Sequence, residues 1–318
     1  MGGMRAGANA LKRGGEGKGT RLWRDLWSHK WLYIMLIPVA ANFIIFHYIP
    51  FIDITIAFKK YNIILGAARS PWVGWANFQA FFSSYYFWQV LGNTLYISIG
   101  SIILGFPVPI LFALLLNESP STGYKKVVQT CSYLPYFVSS VVVVAIFKML
   151  LQIDGPVNSA IAALGGSPQA FITSPGWFMT VYMLQVYWRW TGYDSIVYIA
   201  AMSSIDPQLY EAAEIDGCGR MGRIWHVTVP GIRTTIILLF IMRLGSIMGV
   251  LWQDVLLMQN DLNLGASEVI QTFVYKRGML KADYSYATAV GIFQSVVGFV
   301  FVVIANAISK KLSETSLF

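Results

Sequence analysis

Long apolar stretches alternate with short polar ones along most of this chain. Six of the apolar stretches reach the roughly 20 residues that a helix needs to cross about 30 Å of hydrocarbon. They run over residues 31–51, 95–116, 127–151, 177–202, 234–258 and 284–308. The pattern predicts an all-α polytopic membrane protein with six transmembrane helices and both ends on one side. Pro107 and Pro109 are expected to kink the second span, and the aromatic-rich residues 52–93 to form short helices at the membrane surface. Between the fourth and fifth spans lies the longest polar stretch of the C-terminal half, DPQLYEAAEIDGCGRMGRIWHVTVPGI at 206–232.

That polar stretch has a legible local structure. Asp206 is a good N-cap and Pro207 suits the first helical position, so a short helix is expected to run to Gly217, which tolerates the left-handed stop conformation. A second short helix, about 220–227, then leads to Pro230 and the fifth span. In the first helix Leu209, Ala212, Ala213 and Ile215 are expected on one broad face. Glu211, Glu214 and Asp216 carry charge outward. A slim helix with small side chains and acidic flanks fits a groove on a protein partner. A helix lying on the membrane surface would instead carry Lys or Arg, because an anionic leaflet repels an acidic face. The acidic first helix and the flanking membrane spans also exclude a DNA-binding helix–turn–helix.

Composition agrees with the membrane reading. Of 318 residues, 56% are hydrophobic and only 12% charged, with a mean hydropathy of +0.58; soluble globules carry about a quarter charged residues. The net charge of +8 does not indicate nucleic acid, because the basic residues cluster at the ends of apolar spans. The tails and even-numbered loops hold 14 Lys and Arg against 6 in the opposite loops, which assigns the tails and residues 206–232 to the cytoplasm. The first apolar run is full length and lacks a small-residue cleavage site, so it reads as a retained anchor. The phrase GGEGKGT at 14–20 is not a phosphate loop, because Gly19 stands where Ser or Thr is required and no strand precedes it. Two cysteines, Cys131 and Cys218, and three scattered histidines, His29, His47 and His226, form no metal or disulfide framework. The sequence therefore calls for no cofactor and no metal.

Charge inside the spans is the next informative feature, since an ionisable side chain near the bilayer centre costs at least about 2.5–3.5 kcal/mol. Arg189 lies mid-way along the fourth span in YWRWTGYDS, where Thr191 and Gly192 are expected to loosen the helix. Arg243 lies within the fifth span, and Trp252, Gln253 and Asp254 follow toward its outer end. Sugars stack their apolar faces on aromatic rings while planar polar groups take their hydroxyls. Trp188, Trp190, Tyr193, Asp194, Trp252, Gln253 and Asp254 suit such a ligand, and Arg189 and Arg243 suit a carboxylate or sulfate on it. The competing reading is an internal staple, in which Arg189 pairs with Asp194 or Asp254 and the aromatics are packing. Gly245 and Gly249 form a GxxxG step expected to let another helix approach.

The loop at 206–232 resembles the EAA signature in the permease subunits of binding-protein-dependent ABC importers. Glu211, Ala212 and Ala213 are followed by Gly217, Val227, Val229 and Pro230 in the spacing of that motif, and a VGxxNF phrase precedes the second span. The chain is similar to the maltose-type carbohydrate uptake permeases, in particular those serving complex or acidic oligosaccharides. That resemblance implies a type I importer fold with a basic tail at 1–30, a six-helix permease domain at 31–308 and a C-terminal tail at 309–318. It implies ATPase contact through Asp206, Leu209, Tyr210, Glu211, Ala212, Ala213, Asp216, Gly217 and Pro230. It further implies a second homologous permease, two cytosolic ATPases and an extracellular solute-binding lipoprotein as partners. The subunit would move a saccharide through the plasma membrane of a bacterium, surrounded by lipid, with no catalysis of its own and no nucleic acid. A stand-alone secondary transporter or channel is the alternative, and it leaves the EAA spacing unexplained. An intramembrane enzyme would need paired catalytic groups at one depth, and the spans carry none.

Overall fold

A computed structural model describes residues 27–313. The chain divides into two compact units, Met1–Ile56 and Ala57–Phe318. The described residues are overwhelmingly helical, and their only extended pairing is an isolated bridge between Lys59 and Trp72. The GGEGKGT phrase and the last five residues lie outside the described part.

In the first unit, helix α1 (Lys30–Phe43) continues through one wide turn at Ile44–Tyr48. No residue of α1 is buried, although nearly all of them are apolar. Such a helix is stable where hydrocarbon surrounds it, because all its backbone polar groups are satisfied internally.

The second unit begins with a clamp. The Asn77 carboxamide donates to the carbonyls of Ala57 (2.7 Å) and Lys59 (3.1 Å), and Gly74 just before it takes the left-handed φ of 59° that the turn needs. Thus the VGxxNF phrase fastens the incoming strand of chain to α2 (Ala76–Phe82). Helices α3 (Tyr86–Gly105) and α4 (Pro107–Asn117) follow as one apolar run, interrupted at Phe106. Neither Pro107 nor Pro109 can donate to the preceding turn, which accounts for the interruption.

The third apolar stretch is not one helix. It divides into α5 (Thr122–Tyr133), a tight turn at Leu134–Phe137 and α6 (Ser140–Leu151), with α7 (Pro156–Ala163) beyond. Pro135 lies in the turn, and Ser139, extended at ψ 148°, caps α6 by accepting from Val142 N. Hydropathy cannot register a capped break between two apolar segments.

Helix α8 (Pro175–Ser203) is the structural centre. It carries ten buried residues, and Phe178, Val181, Tyr182, Met183 and Val186 anchor the largest apolar cluster. The expected loosening at Thr191 and Gly192 does not occur, since α8 is continuous through both. Gly192 instead lets the backbone of Ser132 and Tyr133 in α5 approach to where a Cβ would stand.

The polar stretch folds into α9 (Pro207–Ile215) and α10 (Arg220–Arg223), and the helix resumes through a wide turn at Ile224–Thr228 as far as Gly231. The fifth apolar stretch is also broken. Helix α11 (Arg233–Gly245) stops, residues 246–251 are irregular, and α12 (Trp252–Met258) begins anew. The GxxxG expectation is met only in half: a Cβ on Gly245 would crowd Val302 of the last helix, whereas Gly249 lies in the irregular segment. Helices α13 (Ile270–Tyr275) and α14 (Tyr284–Ser313) complete the unit.

Four helices among the described residues are long and apolar enough to cross a membrane, and five if the pair flanking Ile232, bent by 63°, counts as one. Helix α8 has the length, but its charges, tyrosines and tryptophans lower its mean hydropathy.

Gly192→Ala is expected to destabilise the unit by about 1–3 kcal/mol through overpacking on rigid backbone. Gly291→Ala, whose added Cβ meets nothing within 4 Å, is expected to be neutral or stabilising. Melting of the two variants in detergent, followed by tryptophan fluorescence, checks the difference.

Candidate functional site

Both interior arginines are paired, and α8 supplies one member of each pair. Arg189 Nη1 lies 3.5 Å from Asp254 Oδ2 of α12, with side-chain exposures of 12% and 2%. The same Nη1 donates to Ser140 Oγ at 2.6 Å, and Gln185 Nε2 donates to Asp254 at 3.0 Å. Arg243 Nη2 of α11 lies 3.4 Å from Asp194 Oδ2, with exposures of 40% and 27%. The charge order on α8 is cation then anion, and the broken fifth segment offers the complementary anion and cation from opposite sides of its break. One pair is therefore sealed and the other is open.

The open pair borders a cavity of about 280 Å³ lined by Phe106, Tyr193, Asp194, Tyr198, Arg243 and Ser246, among others. A narrower recess of about 70 Å³ shares Arg243 and Ser246 and continues past Ser98, Ser101, Tyr182 and Gly249. The irregular segment 246–251 thus forms the wall of a hollow, which is where non-helical backbone at membrane depth is tolerated. Ser98 Oγ is buried in the recess and has no hydrogen-bond partner among the described residues.

Of the nine residues read as candidates for a passage, Tyr193, Asp194 and Arg243 meet in this cavity. Arg189 and Asp254 are tied together in the packed interior. Trp190 packs edge-on to Tyr136 at 5.0 Å and joins the main apolar cluster. Trp188 is exposed beside Phe147, and Gln253 is exposed. Trp252 lines a different cleft. Tyr193 stacks on Tyr136 with centroids 3.7 Å apart and the rings nearly parallel. Ser98, Ser101, Tyr182, Tyr198 and Ser246 were absent from the sequence-based set. Serine and tyrosine in apolar spans give no linear signal, and only packing aims them at one space.

The loop between α8 and α11 is well ordered by its own contacts. Asp206 Oδ1 accepts from Gln208 N at 2.9 Å, and Pro207 follows at the first helical position. At the other end of α9, Cys218 N donates to Ala213 O at 2.9 Å while Gly217 adopts φ 75°. Two contacts brace α9 against the returning chain: Tyr210 Oη to Thr228 Oγ1 at 3.0 Å and Arg223 to Glu214 at 3.4 Å. The expected apolar face is rotated in part. Tyr210 and Ala213 turn inward, whereas Leu209 and Ile215 are 55% and 86% exposed. Glu211, Ala212, Asp216, Gly217 and Pro230 are also exposed.

Residues 105–314 match the family described as "binding-protein-dependent transport system inner membrane component". The chain belongs to that family of permease subunits. It is 41% identical over 303 residues to Protein LplB of Bacillus subtilis (strain 168), covering 95% of each chain. It is 40% identical to the polygalacturonan/rhamnogalacturonan transport system permease protein YteP of the same organism, covering 95% of this chain and 94% of that one. Among solved structures, it superposes with a TM-score of 0.86 on a chain of a bacterial ABC transporter involved in the import of the acidic polysaccharide alginate. There the identity is 40%, with 92% of this chain and 99% of that chain covered. A second structure, of the alginate transporter in complex with an alginate pentasaccharide-bound periplasmic protein, gives the same TM-score at 39% identity, covering 93% and 100%.

The permease is thus a multi-pass component of the cell membrane with the type I importer fold, as its residue pattern led one to expect. In the permease the two cysteines are free, and the described residues hold no group of three or more His, Cys, Asp or Glu suited to a metal.

Asp254→Asn leaves Arg189 without its counter-ion in a closed site, and a loss of about 3–5 kcal/mol is expected. Asp194→Asn, at the open pair, is expected to be much milder. The folded fraction recovered by size-exclusion chromatography checks this, and the combined Arg189→Met and Asp254→Leu variant is expected to recover folding.

Proposed function

We propose that this chain is one membrane-spanning subunit of an ATP-driven importer that carries an acidic oligosaccharide into the cytoplasm. The observation that carries the proposal is Arg243: an interior cation, 40% exposed, on the wall of a cavity that also presents Tyr193 and hydroxyl groups. Asp194, its one ion-pair partner among the described residues, is itself accessible. A uronate carboxylate entering the cavity takes Asp194's place beside the guanidinium, which recognises planar carboxylates well. Rings of the sugar lie against Tyr193 and Tyr198, and Ser98, Ser101 and Ser246 receive hydroxyls along the recess. Arg189, Asp254, Gln185 and Ser140 act as the staple that holds α6, α8 and α12 around the passage. The printed names of YteP and the alginate importer, which concern acidic polysaccharides, support the substrate class.

In this reading residues 1–30 and 309–318 are cytoplasmic tails, 31–308 form the permease domain, and 206–232 couple it to a separate ATPase. Leu209, Ile215 and Glu211 present an apolar and acidic surface suited to a groove. Tyr210 and Glu214 make α9 one body with the helix that leads into α11, so that movement of an ATPase pair tilts the spans. A second homologous permease completes the passage, two ATPase subunits drive it, and an extracellular solute-binding protein delivers the sugar, as the periplasmic protein in the alginate complex suggests. No chemical step is assigned to this subunit.

Arg243→Gln is expected to reduce uptake of a uronate oligosaccharide about tenfold while reducing uptake of a neutral one of equal length far less. Equal losses in proteoliposome uptake would remove the carboxylate from the scheme. Glu211→Lys is expected to abolish saccharide-stimulated ATP hydrolysis by the reconstituted complex without affecting membrane insertion. Normal stimulation would refute the coupling assignment.

A further inference from the structure

We infer that the permease holds a second saccharide subsite, uncharged and separate from the Arg243 cavity, in the cleft between α12, α13 and α14. This cleft has a volume of about 410 Å³ and is lined by Trp252, Gln271, Tyr275, Tyr284, Thr288 and Gln294, among others. That volume falls within the range of small-molecule sites, roughly 300–1,000 Å³. Trp252 and Tyr275 form a platform with ring centroids 5.3 Å apart and planes inclined by 36°. Two side-chain amides converge beside it, for Gln271 Nε2 and Gln294 Nε2 both donate to the carbonyl of Met248, the latter at 2.9 Å.

Met248 belongs to the irregular segment of the fifth span, so these glutamines satisfy backbone that the broken helix leaves open. Among the described residues, Gln271 Oε1 is buried without a hydrogen-bond partner. An acceptor of this kind is costly when unmatched and is satisfied by a hydroxyl donor. Rings whose faces take C–H groups, beside carboxamides that take hydroxyls, are the chemistry of pyranose recognition.

Neither Asp, Glu, Lys nor Arg lines the cleft, so it reads rings and hydroxyls and is indifferent to charge, unlike the Arg243 cavity. Ser246, Gly249, Val250 and Leu251 face the recess, while Met248 is held from the cleft side. The same short irregular segment therefore borders the recess directly and is tied to the cleft through the two glutamines. The cleft also reaches Gly278 and Met279, in the loop that the charge asymmetry assigns to the exterior. Its position suits a sugar chain that has left the delivering protein and has a second unit to place.

This inference rests on the oligosaccharide reading above. The test uses the complete transporter in proteoliposomes, with hexagalacturonate and digalacturonate as probes. Trp252→Ala, and separately the double variant Gln271→Leu, Gln294→Leu, are expected to raise KM for the hexamer about fivefold and for the dimer less than twofold. Trp252→Phe is expected to restore the wild-type value. Size-exclusion chromatography of each variant complex verifies assembly. An assembled Trp252→Ala complex with unchanged KM for the hexamer overturns the subsite, as does an equal rise for both lengths. Loss of assembly in Trp252→Ala that Trp252→Phe repairs, with KM in Trp252→Phe and the glutamine variant unchanged, marks the cleft as a subunit or lipid contact and overturns it as well. A wild-type complex that carries neither probe nor any neutral hexasaccharide overturns the function itself, and the subsite with it.

Discussion

Two arginines can reside among apolar helices here because each faces an aspartate across the same pair of elements. A charge left alone in such surroundings is expelled or neutralised, so the pairing fixes which helix faces which. Arg189 and Asp194 are both on α8, and their partners Asp254 and Arg243 flank the break in the fifth segment. Reversing the order of charges on either element would set like against like. The register of α8 against α11 and α12 follows from this constraint.

The two pairs then diverge in environment, and on the proposed function this divergence separates scaffold from site. Arg189–Asp254 is closed over and supplemented by Ser140 and Gln185, which makes it rigid. Arg243–Asp194 has a single long contact and stands beside empty space. An ion pair that is partly wet can exchange its anion at little cost, whereas a sealed one cannot. The break at 246–251 contributes to the same end, because it stops α11 short and leaves room where a continuous helix would have filled the space.

Below the spans, the loop at 206–232 gains stiffness from a few polar contacts rather than from a core. The N-cap at Asp206, the left-handed Gly217, and the braces at Tyr210 and Glu214 account for its shape. With the inward positions used in this way, Leu209 and Ile215 remain outside. Exposed apolar groups on a braced helix are what the proposed ATPase contact requires.

Several features were decided by the residues in line. Helical class and membrane residence follow from the lengths of apolar runs, since a run of about 20 apolar residues crosses hydrocarbon as a helix, whose backbone bonds all lie within the one segment. The ends of α9 follow from Asp206, Pro207 and Gly217, because caps and left-handed stops act within a few residues. The family likeness follows from the spacing of Glu211, Ala212, Ala213, Gly217 and Pro230. Other features depend on groups far apart in the chain. Hydropathy averages over the capped break at Ser139 and the irregular segment at 246–251, so both were read as continuous spans. Gly192 looked like a weak point in α8, yet it is a contact surface, because the backbone of α5 presses there. The choice of Asp254 over Asp194 as partner of Arg189 is likewise a matter of which face meets which. So is the gathering of Ser98, Ser101, Tyr182 and Ser246 around one recess. Local chemistry determines elements and their ends; the distances between distant side chains, which set charge pairing and open space, exist only once those elements have packed.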